Sequence, residues 1–433
     1  MRVQHSPSRQ FFARLVAGTF WNFWANTVYR GVALTLSVYL AHTLTSAQFA
    51  DFNTLQNALT TLLTIASMGL GLAATRYSAE FIDTDGVRCG EVLSGILVGS
   101  VAFSVALALT LCLFSTPIAS MLFKDDTKFG QILLLGALLI CTVLISVQAG
   151  MFAGLQAFRT FALVQTASGV VSLGAQLLAA RTSTFPVLLM TWLAGSTLVA
   201  ISNQIVLTRL LATRGVHLRL TGAWRALRGI AGFFLPASAV TLVVFPAHTV
   251  ALMLLNTVGR DPVQVSWFQT GLLWMQLTAF IPTALAGALL PMLTAVMQRD
   301  GGPGMVALAR RSAVPVLIGI MLLCTAFALA APWIATLYGR AFDGTTDLFR
   351  IAALTGFFFS INGVLGSFLI THRAMRAAVV CNTIWTLAYL GLTLLAGRFH
   401  GAYGLLASCF AAYVAHFAAL ALVTVKLARR STT

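Results

Sequence analysis

The chain has 433 residues, of which 58% are hydrophobic and 9% charged, and its formal net charge is +16. A soluble domain carries about 25% charged residues, so this chain could not cover its own surface in water; its solvent is lipid. The basic surplus does not point to nucleic acid, because the Lys and Arg residues stand singly between apolar runs and form no patch on a folded domain.

At ~20 residues per span plus short connections, this length accommodates about twelve membrane helices. Apolar runs place them, in chain order, at 18–41, 51–74, 91–114, 129–150, 161–180, 186–208, 232–255, 268–290, 312–335, 348–370, 377–396 and 402–425. The first run is too long for a signal peptide and lacks a cleavage site, so it counts as a span. The expected fold class is an all-α polytopic membrane protein with two pseudo-symmetric six-helix bundles around a central cavity. Residues 1–208 form the N-terminal half, 209–231 a cytosolic linker and 232–433 the C-terminal half. The connections are too short for a catalytic domain, and the sequence shows no phosphate-binding glycine loop, zinc-ligand spacing or Ser–His–Asp arrangement. No catalytic residue, metal or cofactor is expected, and the chain reads as a transporter rather than an enzyme.

Charge sets the orientation. Of the 27 Lys and Arg residues, Lys124, Lys128, Arg181, Arg260, Arg340 and Arg398 fall on one side; Arg350 lies at a helix end and Arg30 mid-membrane. The remaining nineteen share a side with both termini, which predicts cytosolic termini. The six cysteines, at 89, 112, 141, 324, 381 and 409, fall in spans or on the cytosolic side and read as small buried apolar residues.

A shift of 216 lays Ile145, Gly150, Phe152, Ala162, Val164, Leu178 and Ala180 on Ile361, Gly366, Phe368, Ala378, Val380, Leu394 and Ala396. With the helix order and the midpoint linker, this indicates an internal repeat whose halves share one orientation.

Polar groups in lipid are costly, so their placement is informative. The second span carries Asn53, Asn57, Thr60, Thr64 and Ser67 on one helical face, and the eighth carries Gln269, Gln276 and Thr283. The same shift aligns Asn53 with Gln269, Thr60 with Gln276 and Ser67 with Thr283. The first span has Asn22, Asn26 and Arg30 on one face, with Ser37 near it, and the seventh has Ser238, Thr241 and His248. Such residues either bond neighbouring helices together or line a hydrated cavity for substrate. Arg30 is the sharpest of them. An arginine at mid-span costs roughly 2.5–3.5 kcal/mol on insertion scales. It is too far from either end to snorkel, and no predicted span holds a mid-membrane Asp or Glu to neutralise it. It is either a structural arginine held by carbonyls or a ligand for an anionic substrate. His248 is either a packing residue or a proton-responsive one.

Four stretches resemble polysaccharide flippases of the Wzx type in the MOP (MATE-like) superfamily. These are Tyr39–Phe49 (YLAHTLTSAQF), Met68–Glu80 (MGLGLAATRYSAE), Ile281–Pro291 (IPTALAGALLP) and Gly401–Gly404 (GAYG). Ala50 stands where that family has glycine. The resemblance implies a bacterial inner-membrane flippase that moves undecaprenyl-pyrophosphate-linked oligosaccharide repeats by alternating access, for O-antigen, capsule or exopolysaccharide. Its partners would be this lipid-linked anionic glycan, membrane lipids and a glycan polymerase or export complex, with no nucleic acid. Arg30 would meet the diphosphate; Asn22, Asn26, Asn53, Asn57, Thr60, Gln269, Gln276, Thr283 and His248 would meet sugar hydroxyls. A cation-coupled multidrug exporter of the same superfamily is the alternative, disfavoured by the lack of a mid-span carboxylate. A membrane-embedded polysaccharide polymerase or ligase is disfavoured by the short outer loops.

Overall fold

Helices account for nearly every described residue of the computed structural model, which describes 7–67, 69–82, 84–182, 184–230, 244, 246–258, 261–279, 303, 306, 311, 313–372 and 374–432. The helices are α1 (Pro7–Thr43), α2 (Ser46–Ser67), α3 (Leu70–Phe81), α4 (Gly86–Leu113), α5 (Ser115–Phe123), α6 (Phe129–Gly154), α7 (Phe158–Thr182) and α8 (Phe185–Thr213). They continue with α9 (Pro246–Val258), α10 (Pro262–Thr278), α11 (Ala313–Leu337), α12 (Thr346–Thr371), α13 (Met375–Leu395) and α14 (Gly401–Thr432). All twelve predicted spans are helical over their described residues, apart from frayed ends and one break at Gly69.

Eight of the described helices are long and apolar enough to cross a membrane, and α2 with α3 makes a ninth span bent by 47°. Gly69 causes the bend: its φ of 70° is a left-handed backbone that opens the helical hydrogen-bond ladder between Ser67 and Leu70. α1 is long enough but is not among the eight, because Asn22, Asn26 and Arg30 interrupt its apolar sequence. α9 is a shorter apolar helix.

Side chains set several helix starts. Thr45 and Gln48 cap α2 reciprocally: the Gln48 N–H donates to Thr45 Oγ1 at 3.3 Å, and the Thr45 N–H donates to Gln48 Oε1 at 3.2 Å. Asp85 accepts the Arg88 N–H at 3.0 Å to open α4, and Asp261 accepts the Val263 N–H at 2.9 Å to open α10.

The chain divides into two compact units. One comprises Met1–Thr43, Leu59–Met121 and Asp125–Ser238; the other comprises Leu44–Ala58, Leu122–Lys124 and Ala239–Thr433. In the first unit α6 packs against α3, α4 and α8, while α1 lies on α7 and α7 on α8. Its core joins Leu70, Ala73, Leu93, Ile96, Val147, Met151, Phe152 and Leu207. Backbones approach closely here. A methyl built on Gly150 would fall 2.9 Å from the carbonyl carbon of Gly71, and one on Gly154 would meet Ser78 and the Thr75 carbonyl. Hence the glycine-rich stretch Met68–Glu80 supplies both a break, at Gly69, and a contact face for α6.

In the second unit α12, α13 and α14 pack together, α10 on α12 and α14, and α9 on α13. Trp274 donates its indole N–H to the Tyr338 hydroxyl at 3.1 Å, and Tyr338 stacks with Phe349 and meets the Phe342 ring at a tilt. The GAYG stretch has a physical reason. Gly401 has a φ of +62°, the Ala402 N–H donates to Gln264 Oε1 at 2.8 Å, and Gly404 lies against the carbonyl of Gly397.

All six cysteines are free thiols. Cys112 departs from the expected burial: it is exposed on the outward face of α4, where lipid accommodates a thiol as readily as a protein core does.

Candidate functional site

In the first unit, Arg30 is half-buried on α1, seven residues after Phe23 and four after Asn26, so the three share one face. Asn26, Phe23, Trp24 and Tyr29 point outward from the chain. Arg30 and Asn26 are both engaged by neighbouring groups of the fold. Thr27 donates to the Phe23 carbonyl at 2.8 Å, and the Arg159 guanidinium of α7 sits 5.8 Å from the Trp21 ring centre. The backbone of Asn22 is helical; its side chain lies outside the described residues. Thr60 is exposed on α2.

The polar stripe of α2 rotates from core to surface as it runs: Asn53 is buried, Asn57 half-buried and Thr60 exposed. At Thr64 and Ser67 its hydroxyls bond back along their own helix, as does that of the neighbouring Thr54. Thr54 donates to the Ala50 carbonyl at 2.7 Å, Thr64 to Thr60 at 3.0 Å and Ser67 to Thr64 at 3.3 Å, all within their own helix. The amides behave differently. The Nδ2 atoms of Asn53 and Asn57, both in the second unit, are buried donors without a hydrogen-bond partner.

Also in the second unit, Gln269 is half-buried with its Nε2 lacking a partner, and Gln276 is exposed. Thr283 lies outside the described residues, as do Ser238, Thr241 and the stretch 281–291. His248 of α9 is half-buried in an aromatic setting. Its Nδ1 is 3.4 Å from the Tyr389 hydroxyl, and its ring meets that of Trp385 edge-on at 5.6 Å. This is the environment of a packed histidine.

Two features escaped the sequence reading. Asp51 is 4% exposed in the second turn of α2, because the helix starts at Ser46 rather than at 51. The chain therefore does hold a buried carboxylate within this helix. The second is a polar cluster among α12, α13 and α14. There Asn362 Nδ2 donates to the Tyr413 carbonyl at 3.1 Å and lies 3.3 Å from His416 Nδ1, with Trp385 stacked on Tyr413. Asn362 and His416 are each a lone polar residue at mid-span, which was the available signal. Among the described residues no group of His, Cys, Asp and Glu could hold a metal ion.

The described residues thus make a helical membrane protein with a bent second span, two compact units and amide-bearing helices. The family model described as polysaccharide biosynthesis protein matches residues 15–259, more than half of the sequence. The chain belongs to that family. Its fold is similar to that of a multidrug resistance MATE family transporter of the MOP superfamily in its inward-facing conformation. That comparison has TM-score 0.70 and 14% identity, and covers 93% of this chain and 96% of that one. A mutant of the MATE transporter VcmN of Vibrio cholerae gives TM-score 0.70 at 16% identity, covering 96% and 97%. The lipid II flippase MurJ, in an inward closed conformation, gives TM-score 0.69 at 14% identity, covering 96% and 91%. No curated protein sequence matches the chain. The fold is thus one shared with a MATE family transporter and with a lipid II flippase.

Proposed function

We propose that this protein flips an undecaprenyl-pyrophosphate-linked oligosaccharide across a bacterial inner membrane by alternating access, with both termini cytosolic. The product would feed O-antigen, capsule or exopolysaccharide synthesis, alongside a glycan polymerase or export complex. Family membership supports the polysaccharide pathway. The observation that carries the substrate reading is the position of Arg30: a permanent cation, half-buried on a membrane helix, on a face shared with Asn26 and the exposed ring of Phe23. A diphosphate offers such a guanidinium two oxygens for a bidentate contact. Asn22 and Asn26 on α1, and Thr60 on α2, would meet sugar hydroxyls. Within the second unit, the unpartnered amide donors of Asn53, Asn57 and Gln269, with Gln276, Thr283 and His248, are the polar groups suited to sugar hydroxyls. The prenyl tail stays in lipid throughout.

The test is a substitution series read as surface polysaccharide in a flippase-null strain, normalised to membrane-inserted protein. Arg30→Ala abolishes export at normal protein level. Arg30→Lys retains part of it, keeping charge but losing the fork, and Arg30→Gln behaves like alanine. Near-normal export by Arg30→Ala would remove Arg30 from the substrate site.

The buried Asp51 favours a second reading, a cation-coupled multidrug exporter, since a carboxylate within a membrane helix suits proton or cation binding. The two separate cleanly: an exporter loses drug resistance with Asp51→Asn, whereas a flippase confers none to lose.

A further inference from the structure

The segment that follows α8 is seated on a track of glycines along α4. Gly215 and Gly222, at φ of +72° and +83°, are left-handed elbows, and helix resumes over 223–230. Methyls built on the track would crowd this segment: at Gly90, 3.1 Å from the carbonyl carbon of His217; at Gly95, 3.2 Å from that of Ala223; and at Gly99, 2.6 Å from Leu227 Cδ2. Val216, Ala223, Leu227 and Ile230 are buried in this contact. The segment is thus fixed by its inner face.

Its outer face has the opposite character. Arg219, Arg225 and Arg228 are exposed, and between them Leu220 is 77% and Trp224 60% exposed. The Arg228 guanidinium lies 5.3 Å from the Trp224 ring centre. Residues 214–230 contain four arginines and no Asp or Glu. Glu91 lies against Gly222, on the seated side. Depth completes the description. From Gly86 to Gly99 the track runs ~20 Å along α4 at about 1.5 Å per residue, from a charged start with Asp85, Arg88 and Glu91 into a stretch without charged residues. The outer face therefore passes through the level at which a bilayer changes from headgroup to acyl chain.

We propose that this face is a binding site for the bilayer's own anionic phospholipid. Arg219 and Arg225 hold the headgroup phosphate, Arg228 reaches back towards it over the Trp224 ring, and Trp224 meets the acyl chains. Uncompensated arginines select anionic over zwitterionic headgroups, and exposed indole and leucyl side chains at this depth suit a lipid boundary. The rigid seat on α4 presents the arginines together, so the site exists before lipid arrives.

Trp224 is itself the probe. The full-length protein is reconstituted in bilayers containing a fixed fraction of brominated lipid, and the Trp224 emission is isolated as native minus Trp224→Phe, because the chain has eight Trp residues. Brominated phosphatidylglycerol should quench this component with an association constant at least about fivefold above that of brominated phosphatidylcholine, the scale set by one basic residue near an anionic surface. The preference should shrink at high ionic strength. The triple change Arg219→Gln, Arg225→Gln and Arg228→Gln should bring it close to unity, whereas Arg340→Gln, an exposed cation of the second unit, should not change it. Equal quenching by the two lipids, or a preference that survives the triple change, overturns the proposal. So does displacement of phosphatidylglycerol by trace polyprenyl diphosphate, which would give the face to the transported lipid. The comparison of lipids and salt in native protein decides the matter even if the triple variant folds poorly.

Discussion

Gly71, Gly150 and Gly366 should respond very differently to the same single methyl. The 216-residue shift of the sequence aligns Gly150 with Gly366, so sequence alone would treat them alike. The structure separates them. A methyl on Gly150 falls 2.9 Å from the carbonyl carbon and 3.1 Å from the Cα of Gly71, and closer still to its carbonyl oxygen. Carbon atoms rest at about 3.5–4.0 Å, so α3 and α6 would have to part by roughly 0.5–1 Å. These atoms are backbone, so no side-chain rotation relieves the clash, and Met151 and Phe152 of the core sit beside it. Overpacking of this kind costs about 1–3 kcal/mol, more than the ~1 kcal/mol that alanine gains over glycine in a helix. A methyl on Gly71 meets Ser146 at 3.4 Å, an ordinary contact, and one on Gly366 meets nothing within 4 Å. Gly150→Ala should therefore lower the apparent Tm of purified protein by several degrees, while Gly71→Ala and Gly366→Ala leave it unchanged or raise it. Scanning fluorimetry in one detergent at one heating rate makes the comparison, since unfolding of such proteins is commonly irreversible. Equal shifts for Gly150→Ala and Gly366→Ala would refute the close approach of α3 and α6.

Further expectations can be checked independently. Cysteines at Asn57, Thr60, Gln269 and Gln276, in a background cleared of the six native cysteines, should react with a small hydrophilic thiol reagent, fastest at the exposed Thr60 and Gln276; protection at all four would make them helix contacts alone. Reporter fusions after Arg228 and after Arg430 should be active only in cytosol-reporting form, and a periplasmic signal at either would overturn the span count. Asn203 is fully buried with both amide atoms unpartnered, so Asn203→Leu should raise the apparent Tm; a lower Tm would mean that the amide is satisfied in the membrane-embedded protein.

The spans were legible because lipid demands long apolar runs, and hydropathy reports that demand directly. Helix edges were less so. The start of α2 was placed at 51 because a hydropathy window discounts a polar first turn, although Thr45 and Gln48 stand at capping-box spacing and could have marked it. The earlier start moves Asp51 from the first position of the span to the second turn of the helix. The Gly69 break was hidden because a glycine in a span reads equally as packing or as a hinge; only its backbone angle decides. The polar stripe of α2 was visible in its spacing, but not its progression from buried Asn53 to exposed Thr60, which depends on what packs over each turn. Asn362 and His416 meet across 54 positions, and no local pattern announces such a pair.

α1 settles on α7, a helix that begins 115 residues after Thr43, where α1 ends. At about 5–20 residues per second, a ribosome needs roughly ten seconds to deliver that partner. During this interval α1 carries Asn26 and Arg30 with no α7 to lie against, and polar residues interrupt its apolar sequence. Assembly of the first unit therefore has an interval in which α1 stands without its partner. Either the insertion machinery shelters α1 until α7 emerges, or α1 enters late, after the helices that follow it have already formed their bundle.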